Sequence, residues 1–189
     1  MKKRLSILLL SLIAISINAQ TVLIRETFQD WKAEPGKPNA DATKANVGVA
    51  YEITKLLSDG KTQGKFTSNS LIVAPNQAIG TPGAAEGNGS PSRGRIAMRG
   101  TSTYLQLPEL PSVGKVNIKA NAGTDLREFK LQVLKNGSFE DIPGTVTACS
   151  KAVTKLFTFN LSYSSPTTIR IVPTSNSTIF IYDLEAYSK

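Results

Sequence analysis

The chain has 189 residues, of which 40% are hydrophobic and 19% charged, with a single Cys and no His. This length supports one buried core, but the absence of His excludes Ser-His and Cys-His catalytic pairs and the commonest zinc and copper sites. The single Cys excludes an internal disulfide. The classes that remain are a binding module, a structural or adhesive domain, and an enzyme that works with carboxylates alone.

The first nineteen residues have the pattern of a secretory signal peptide. Residues 2–4 are basic, residues 5–17 are apolar except for three Ser, and Ala19 supplies a small residue at the expected cleavage point. The apolar stretch is shorter than a membrane-spanning helix requires. We therefore predict an exported bacterial protein that is periplasmic, at the cell surface or extracellular, with no integral membrane segment once residues 1–19 are removed.

The charge balance predicts the kind of partner. The formal net charge of +8 falls to +5 without the signal segment, because that segment contains Lys2, Lys3 and Arg4. The remaining chain is mildly basic and lacks the dense Lys/Arg block of a nucleic-acid-binding protein. We expect no nucleic-acid partner, and a glycan or an anionic cell-surface polysaccharide is the more natural electrostatic partner.

From Gln20 onward, apolar and polar residues alternate with a period of two. Val116 and Ile118, for example, are separated by Asn117 and followed by Lys119. This alternation predicts strands with one buried face and favours antiparallel sheets. Strand-like runs recur near residues 21–28, 47–57, 64–74, 94–99, 103–107, 114–121, 127–134, 138–142, 152–161, 167–172 and 178–187. Short strands at this spacing predict a β-sandwich or barrel.

Turn residues separate these runs. Asn136-Gly137 predicts a tight hairpin, since both residue types tolerate positive φ, and residues 100–103 suit a second hairpin. Residues 50–57 fit either a short helix or a strand. The Gly- and Pro-rich stretch at about residues 75–94 fits either a surface insertion or a binding loop. We predict one sandwich domain over residues 20–189.

One cluster of side chains suits recognition of an acidic sugar. Tyr104 precedes the apolar Leu105, so on a strand its side chain faces the opposite, solvent side. By the same alternation, Arg95 and Arg99 point outward on their own strand. A hairpin at residues 100–103 would bring these three close to Arg93. Because Arg binds carboxylates in a bidentate manner, such a patch would bind a uronic acid or sulfated sugar. The alternative is an ordinary charged sheet face.

Trp31, the only Trp, follows the first strand in a polar, turn-rich stretch. Two interpretations of its indole ring stay open: the ring is exposed and binds sugar, or it covers the end of the core. Arg170 also has outward parity on its strand. Cys149 is interpreted as a small buried hydrophobe, because no His is present to activate it.

Catalytic and metal sites have weaker support. Glu140 and Asp141 are adjacent, so on a strand they point to opposite faces and do not form a catalytic pair. A catalytic pair could still lie among six other acidic residues, which the sequence alone does not place: Glu26, Asp30, Asp59, Glu128, Asp183 and Glu185. Because no catalytic motif stands out, we predict no enzyme activity. Calcium needs only oxygen ligands, and Glu26 and Asp183 lie in the first and last strands, which often meet in a domain. A structural Ca²⁺ at these carboxylates is one hypothesis, and solvated surface carboxylates are the other.

Four segments carry a family resemblance when taken in order: residues 26–31 (ETFQDW), 104–108 (YLQLP), 129–133 (FKLQV) and 179–185 (IFIYDLE). With them the chain resembles the galactose-binding-like jelly-roll domains, similar to carbohydrate-binding modules, of secreted bacterial glycan-degrading systems. The resemblance implies an all-β, antiparallel two-sheet β-sandwich with jelly-roll connections and non-catalytic carbohydrate binding. It also implies a structural calcium held by acidic groups of the terminal strands, which match Glu26 and Asp183.

The sequence thus predicts an exported, non-catalytic carbohydrate-binding domain for acidic polysaccharide. Its predicted binding residues are Trp31, Arg93, Arg95, Arg99 and Tyr104. Two alternatives stay open: a cell-surface structural or adhesion domain that binds protein, and a polysaccharide lyase or hydrolase based on carboxylates or on Arg and Tyr. Fold alone does not decide among them.

Overall fold

A computed structural model describes residues 20–28, 51–69, 71–73, 95–124, 126–151, 153–176 and 178–189. The regular elements in these ranges are all strands. They are β1 (Val22–Glu26), β2 (Tyr51–Leu56), β3 (Gln63–Ser68), β4 (Leu71–Val73), β5 (Arg95–Arg99), β6 (Leu105–Gln106), β7 (Val113–Ala122), β8 (Arg127–Lys135), β9 (Ser138–Asp141), β10 (Thr147–Cys149), β11 (Lys155–Tyr163), β12 (Ile169–Pro173) and β13 (Thr178–Tyr187).

The described strands form two antiparallel sheets. The first sheet has the order β11-β7-β13-β5-β4 with β1 paired to β13, and the second has the order β10-β8-β12-β6-β3-β2 with β9 paired to β8. Beyond β5 the chain changes sheets at most connections, since β5, β7, β11 and β13 lie in the first sheet and β6, β8 and β12 in the second. This connectivity is that of a jelly roll. The predicted all-β, antiparallel two-sheet β-sandwich with jelly-roll connections is confirmed.

The core lies between the sheets and is built by the period-two alternation. Ile118 and Leu184 of the first sheet and Leu131 and Ile171 of the second are fully buried. Burial of each such side chain stabilises the fold by about 1.5–3 kcal/mol. Phe129 of the second sheet reaches across to two aromatic rings of β11, at edge-to-face centroid distances of 5.4 and 6.0 Å.

Most predicted strands are present, and the differences have local causes. Asn136 and Gly137 adopt φ values of 50° and 82° in the turn between β8 and β9, which confirms the predicted hairpin. Residues 51–56 form strand β2 and no helix. The single run predicted at 64–74 divides into β3 and β4, which belong to different sheets. Strand β10 was not predicted, because only three residues form it.

The hairpin expected at residues 100–103 is absent. The chain leaves β5 in the first sheet, turns at Gly100 with φ at 89°, and enters β6 in the second sheet. The side chain of Asn69 fixes this crossing: its Nδ2 donates to Ser102 O and its Oδ1 accepts from Tyr104 N, each at 2.8 Å. Asn69 itself lies where the chain passes from β3 to β4. The two crossings therefore lie side by side.

The signal segment, the stretch at about 75–94, Trp31 and Arg93 lie outside the described residues. Within the described ranges, no helix is long and apolar enough to cross a membrane.

Candidate functional site

A continuous row of polar side chains crosses the outer face of the second sheet. Residues paired in register lie next to one another on the same face of a sheet. The register places six of them in one line, here called the polar row: Asp141, Gln132, Arg170, Gln106, Thr67 and Glu52. Their chain neighbours Leu131, Ile171 and Leu105 are fully buried, so the row faces away from the core. The sheet therefore presents a polar track that runs across its strands.

Arg170 stands at the middle of the polar row, between two aromatic rings. Its guanidinium carbon lies 4.0 Å from the centroid of Phe139 and 5.6 Å from that of Tyr104. Stacking on an aromatic face holds the guanidinium plane parallel to the ring and leaves its edge free to bind. The aromatic rings and Arg170 thus form one platform of mixed apolar and cationic character.

Hydrogen bonds hold one half of the platform in place. Arg170 Nε donates to Gln132 Oε1 at 2.6 Å, and Gln132 Nε2 donates to Asp141 Oδ1 at 2.6 Å. The second oxygen of Asp141 accepts from Lys130 Nζ at 2.6 Å. Side chains fixed in this way lose little conformational freedom when a ligand binds.

The electrostatics of the platform follow from these contacts. The hydrogen bonds from Lys130 and Gln132 hold the pKa of Asp141 below its usual range, so this carboxylate stays ionised. Burial lowers the pKa of Arg170, but a guanidinium remains a cation in proteins. Among the described residues, the Nη atoms of Arg170 donate no hydrogen bond. The platform therefore offers a cationic, planar pair of donors to a carboxylate or sulfate group.

The predicted binding residues are divided between the two faces. Tyr104 lies on the platform, at the entry to β6. Arg95 and Arg99 lie on the outer face of the first sheet, where Arg95 stacks on Phe180 at 4.1 Å from its ring centroid. They are not neighbours of Tyr104, because the crossing at Gly100 separates the sheets. Their role in binding stays a prediction.

Sequence reasoning found the outward direction of Arg170 but not its neighbours. Gln132 lies between the buried residues Leu131 and Val133 on β8, so alternation alone indicated the face on which it lies. Strand β9 contains no buried residue, so alternation indicated no face for Asp141. The order of the strands in the sheet, which joins β9, β8, β12 and β6, depends on pairing between distant segments and has no local sequence pattern.

The predicted metal residues line one pocket on the first sheet. Strand β1 pairs with β13, and an open pocket of about 370 Å³ is lined by Arg25, Glu26, Thr27, Asn117, Lys119, Leu156, Asp183 and Glu185. Glu26 and Asp183 thus lie close together, as the positions of the terminal strands predicted.

Both carboxylates have protein partners. Glu26 Oε1 accepts from the backbone N–H groups of Thr27 and Phe28 at 2.9 and 2.8 Å, and Asp183 lies 3.8 Å from Lys119 Nζ. Within the described residues, no group of three or more His, Cys, Asp or Glu side chains is arranged to hold a metal ion. The calcium hypothesis stays a prediction.

A polar network covers the rest of this face. Glu185 accepts from Arg25 Nε at 3.0 Å, from Asn117 Nδ2 at 3.2 Å and from the Tyr187 hydroxyl at 2.6 Å. Asn117 Oδ1 in turn accepts from Thr158 at 3.0 Å. The Tyr187 hydroxyl contributes most to holding the pKa of Glu185 below its usual range. The network ties four strands of the first sheet together and leaves Glu185 ionised.

Cys149 is buried, and burial raises the pKa of its thiol to about 12. A thiol with this pKa is not a nucleophile at neutral pH. The interpretation of Cys149 as a small buried hydrophobe is consistent with this environment.

Comparison with known proteins gives distant structural likenesses only. No protein-family model matches the chain, and no curated protein matches it. Among similar solved structures is the cleaved adhesin domain of Lys-gingipain from Porphyromonas gingivalis W83, with 17% identity over 89% of this chain and 99% of that chain, at a TM-score of 0.44. A CBM35 from Paenibacillus barcinonensis has 14% identity over 75% of this chain and 100% of that chain, with a TM-score of 0.44.

A third similar structure is part of a larger enzyme. It contains the CBM22-1-GH10 modules of an endo-1,4-β-D-xylanase from Clostridium thermocellum complexed with xylohexaose, with 14% identity, a TM-score of 0.43, and coverage of 64% of this chain and 24% of that chain. The present chain thus spans about a quarter of that structure. Carbohydrate-binding modules are among the similar structures, in agreement with the resemblance inferred from sequence. At these identities and TM-scores the likeness carries no argument about a ligand, so the function is argued from the chain's own residues.

Proposed function

We propose that this chain is an exported, non-catalytic carbohydrate-binding domain that binds acidic polysaccharide on the outer face of its second sheet. The observation that carries the proposal is Arg170, stacked on Phe139 and facing Tyr104 at the centre of the polar row.

The platform has the two components that sugars require. Aromatic rings pack against the apolar C–H faces of a sugar ring, and Tyr also brings a polar hydroxyl to such a surface. Amide and hydroxyl side chains, here Gln132, Gln106 and Thr67, bond to sugar hydroxyls. Their spacing is that of neighbouring strands, about 4.8 Å, which suits an extended chain of sugar units lying across the sheet.

A preference for acidic glycans follows from the charges. The carboxylate of Asp141 is already bonded to Lys130 and Gln132, so it does not neutralise Arg170 directly. The Nη edge of Arg170 then pairs with a uronate or sulfate in a bidentate manner. The net charge of +5 on residues 20–189 draws polyanionic chains toward the surface.

Three of the described carboxyls do not suit the role of a catalytic acid. A glycosidase needs one carboxylic acid whose pKa is raised so that it stays protonated near neutral pH. The pKa values of Asp59, Asp141 and Glu185 are instead all lowered by hydrogen bonds. Measurable turnover of polysaccharide would establish the lyase or hydrolase alternative in place of this proposal.

The test is affinity electrophoresis in gels that contain an acidic or a neutral polysaccharide. Because a hydrogen bond to a charged group contributes about 1.5–3 kcal/mol, Arg170→Ala should weaken retention by the acidic gel by roughly 10-fold or more. Arg170→Lys keeps the charge but loses the stacked, bidentate geometry, so we expect intermediate retention. Arg25→Ala, on the first sheet, is the matched control and should behave as wild type.

Two outcomes would overturn the proposal. One is that no polysaccharide retains the wild-type protein, which would leave the protein-binding adhesion domain as the better function. The other is that Arg170→Ala is retained as strongly as wild type, which would place binding elsewhere. Arg95→Ala and Arg99→Ala, tested in the same gels, decide whether the first-sheet arginines take part.

A further inference from the structure

The strand β11 forms one edge of the first sheet. It pairs with β7 along one side, and in the described part of the chain no strand pairs with its other side. An open strand edge presents unpaired backbone N–H and C=O groups, which bind another strand unless the edge is protected.

The other edges are protected in the described part of the chain. Strands β4 and β10 have only three residues each. Strand β1 carries Arg25 and Glu26, β2 carries Glu52 and Lys55, and β9 carries Glu140 and Asp141. Short length and charge are the usual means of preventing edge pairing.

Strand β11 is long, and its one charged residue, Lys155, stands at its start. It has nine residues, and after Lys155 its sequence LFTFNLSY contains no charge, no Gly and no Pro. Aromatic and β-branched residues of this kind favour strand pairing. Leu156 is 61% exposed on the outer face, and Phe157 is only partly buried on the core side. A partner strand would cover both.

Only the first part of this edge is open. The register with β7 shifts between Asn160 and Tyr163, and Lys189 Nζ donates to Ser162 O at 3.3 Å and to Ser164 Oγ at 2.9 Å. The bulge and the lysine close the end of the strand. Within residues 155–160, the side chains of Lys155, Leu156, Thr158 and Asn160 are exposed.

We propose that β11 pairs with β11 of a second copy of this chain, antiparallel and centred on Thr158. In this register Thr158 lies opposite its own symmetry mate, Leu156 opposite Asn160, and Phe157 opposite Phe159. Each pair matches residues of the same sheet face, and cross-strand Thr–Thr and aromatic pairs stabilise a sheet. Lys155, the one charge, lies opposite the uncharged Leu161. An interface of this kind is isologous, the commonest arrangement in homodimers.

The dimer has a geometric consequence for ligand binding. Because the paired residues keep the same face, the two-fold axis is perpendicular to the joined first sheets, and both second sheets lie on the same side. The two Arg170 platforms then point in one direction. If the proposed function holds, a long polysaccharide is bound by two sites at once, and its affinity exceeds that of a short oligosaccharide by an avidity factor.

The dimer is tested without any glycan, by light scattering of the full-length protein over a dilution series. We expect a molar mass of twice the monomer that falls on dilution. Thr158→Lys places two charges face to face on the axis and should give a monomer, whereas Thr54→Lys, on β2, should dimerise as wild type. Circular dichroism verifies that each variant is folded.

Mild oxidation of Thr158→Cys supplies a second readout. Opposed residues of antiparallel strands have Cα atoms about 4.5–5.5 Å apart, a separation that a disulfide spans, and the native Cys149 is buried. We expect a covalent dimer for Thr158→Cys and none for Thr54→Cys. A monomer at every concentration, no cross-link at Thr158, or a Thr158→Lys variant that stays dimeric would overturn the proposal. None of these results depends on glycan binding, which the Arg170 variants test separately.

Discussion

Single carboxylates organise several turns of this molecule, and Asp59 is the clearest. Its Oδ1 accepts from the backbone N–H groups of Lys61 and Thr62 at 2.8 Å, and its Oδ2 accepts from the Thr62 hydroxyl at 2.5 Å. These bonds, the one from the Thr62 hydroxyl foremost, lower the pKa of Asp59 from 3.8 to about 2. Asp59 thus stabilises the connection between β2 and β3 in its ionised form.

This pKa gives a pH-dependent prediction for Asp59→Asn. A carboxyl whose pKa is lower in the folded state adds stability above its unfolded pKa, and loses that contribution as the pH falls through the folded pKa. At pH 7 the wild-type protein should therefore be more stable than Asp59→Asn, and the difference should vanish between about pH 4 and pH 2. Urea denaturation at several pH values measures it. A difference that is independent of pH would contradict the assignment.

Glu26 has a backbone role that is separate from any metal. Its carboxylate accepts two backbone N–H bonds at Thr27 and Phe28, where Phe28 adopts an unusual positive φ of 57°. Removal of a buried acceptor leaves its donors unsatisfied, so Glu26→Ala should lower the free energy of unfolding by about 1–3 kcal/mol.

Thermal melts with calcium and with chelator distinguish the two roles of Glu26. If the predicted Ca²⁺ site exists, chelator lowers the melting temperature of the wild-type protein and leaves that of Glu26→Ala and Asp183→Ala unchanged. If chelator has no effect on wild type, the calcium site is to be discarded while the backbone role of Glu26 stands. A Glu26→Ala variant as stable as wild type would contradict that backbone role.

At the scale of elements, the sequence predicts strands well and sheet membership poorly. The alternation around Ile118 is a local feature, and it predicted strand β7. The Asn136-Gly137 pair is also local, and it predicted the hairpin of β8 and β9. The division of residues 64–74 between two sheets was missed, because no Gly or Pro separates Phe66 from Leu71 in the sequence. Which sheet a strand joins is decided by pairing with distant segments.

The same limit applies to the candidate site. Parity correctly indicated that Arg170 points outward from β12. The expected neighbours of Tyr104 were Arg95 and Arg99, on the strand before it, because a tight turn between them suggested a hairpin. In the structure the chain crosses between sheets at that turn, and Tyr104 lies instead near a residue 66 positions away in the sequence.

The two neighbouring crossings are predicted to depend on Asn69. Its amide bonds to Ser102 O and Tyr104 N from a position that is 9% exposed, so its loss leaves both backbone groups unsatisfied. We expect Asn69→Ala to lower the free energy of unfolding by about 1–3 kcal/mol, and Asn176→Ala, at an exposed Asn away from β11, to change it by less than about 0.5 kcal/mol. Equal stabilities of the two variants in urea denaturation would show that the side chain of Asn69 does not stabilise the crossings.

For the whole molecule, the sandwich separates two surfaces of different character. On the outer face of the first sheet, Arg25 and Asn117 both bond to Glu185. Strand β11 forms one edge of this sheet. The outer face of the second sheet presents Arg170 with unused donors between two aromatic rings. We therefore propose self-association through the first sheet and glycan binding on the second.

This division is tested most directly by mapping amide and side-chain chemical shifts in NMR spectra during titration with an acidic oligosaccharide. Binding at the platform predicts shifts at Gln132, Arg170, Gln106 and Tyr104 on the second sheet, with Arg25 and Glu185 of the first sheet unchanged. Shifts confined to the first sheet, or no shifts at saturating oligosaccharide, would contradict the account.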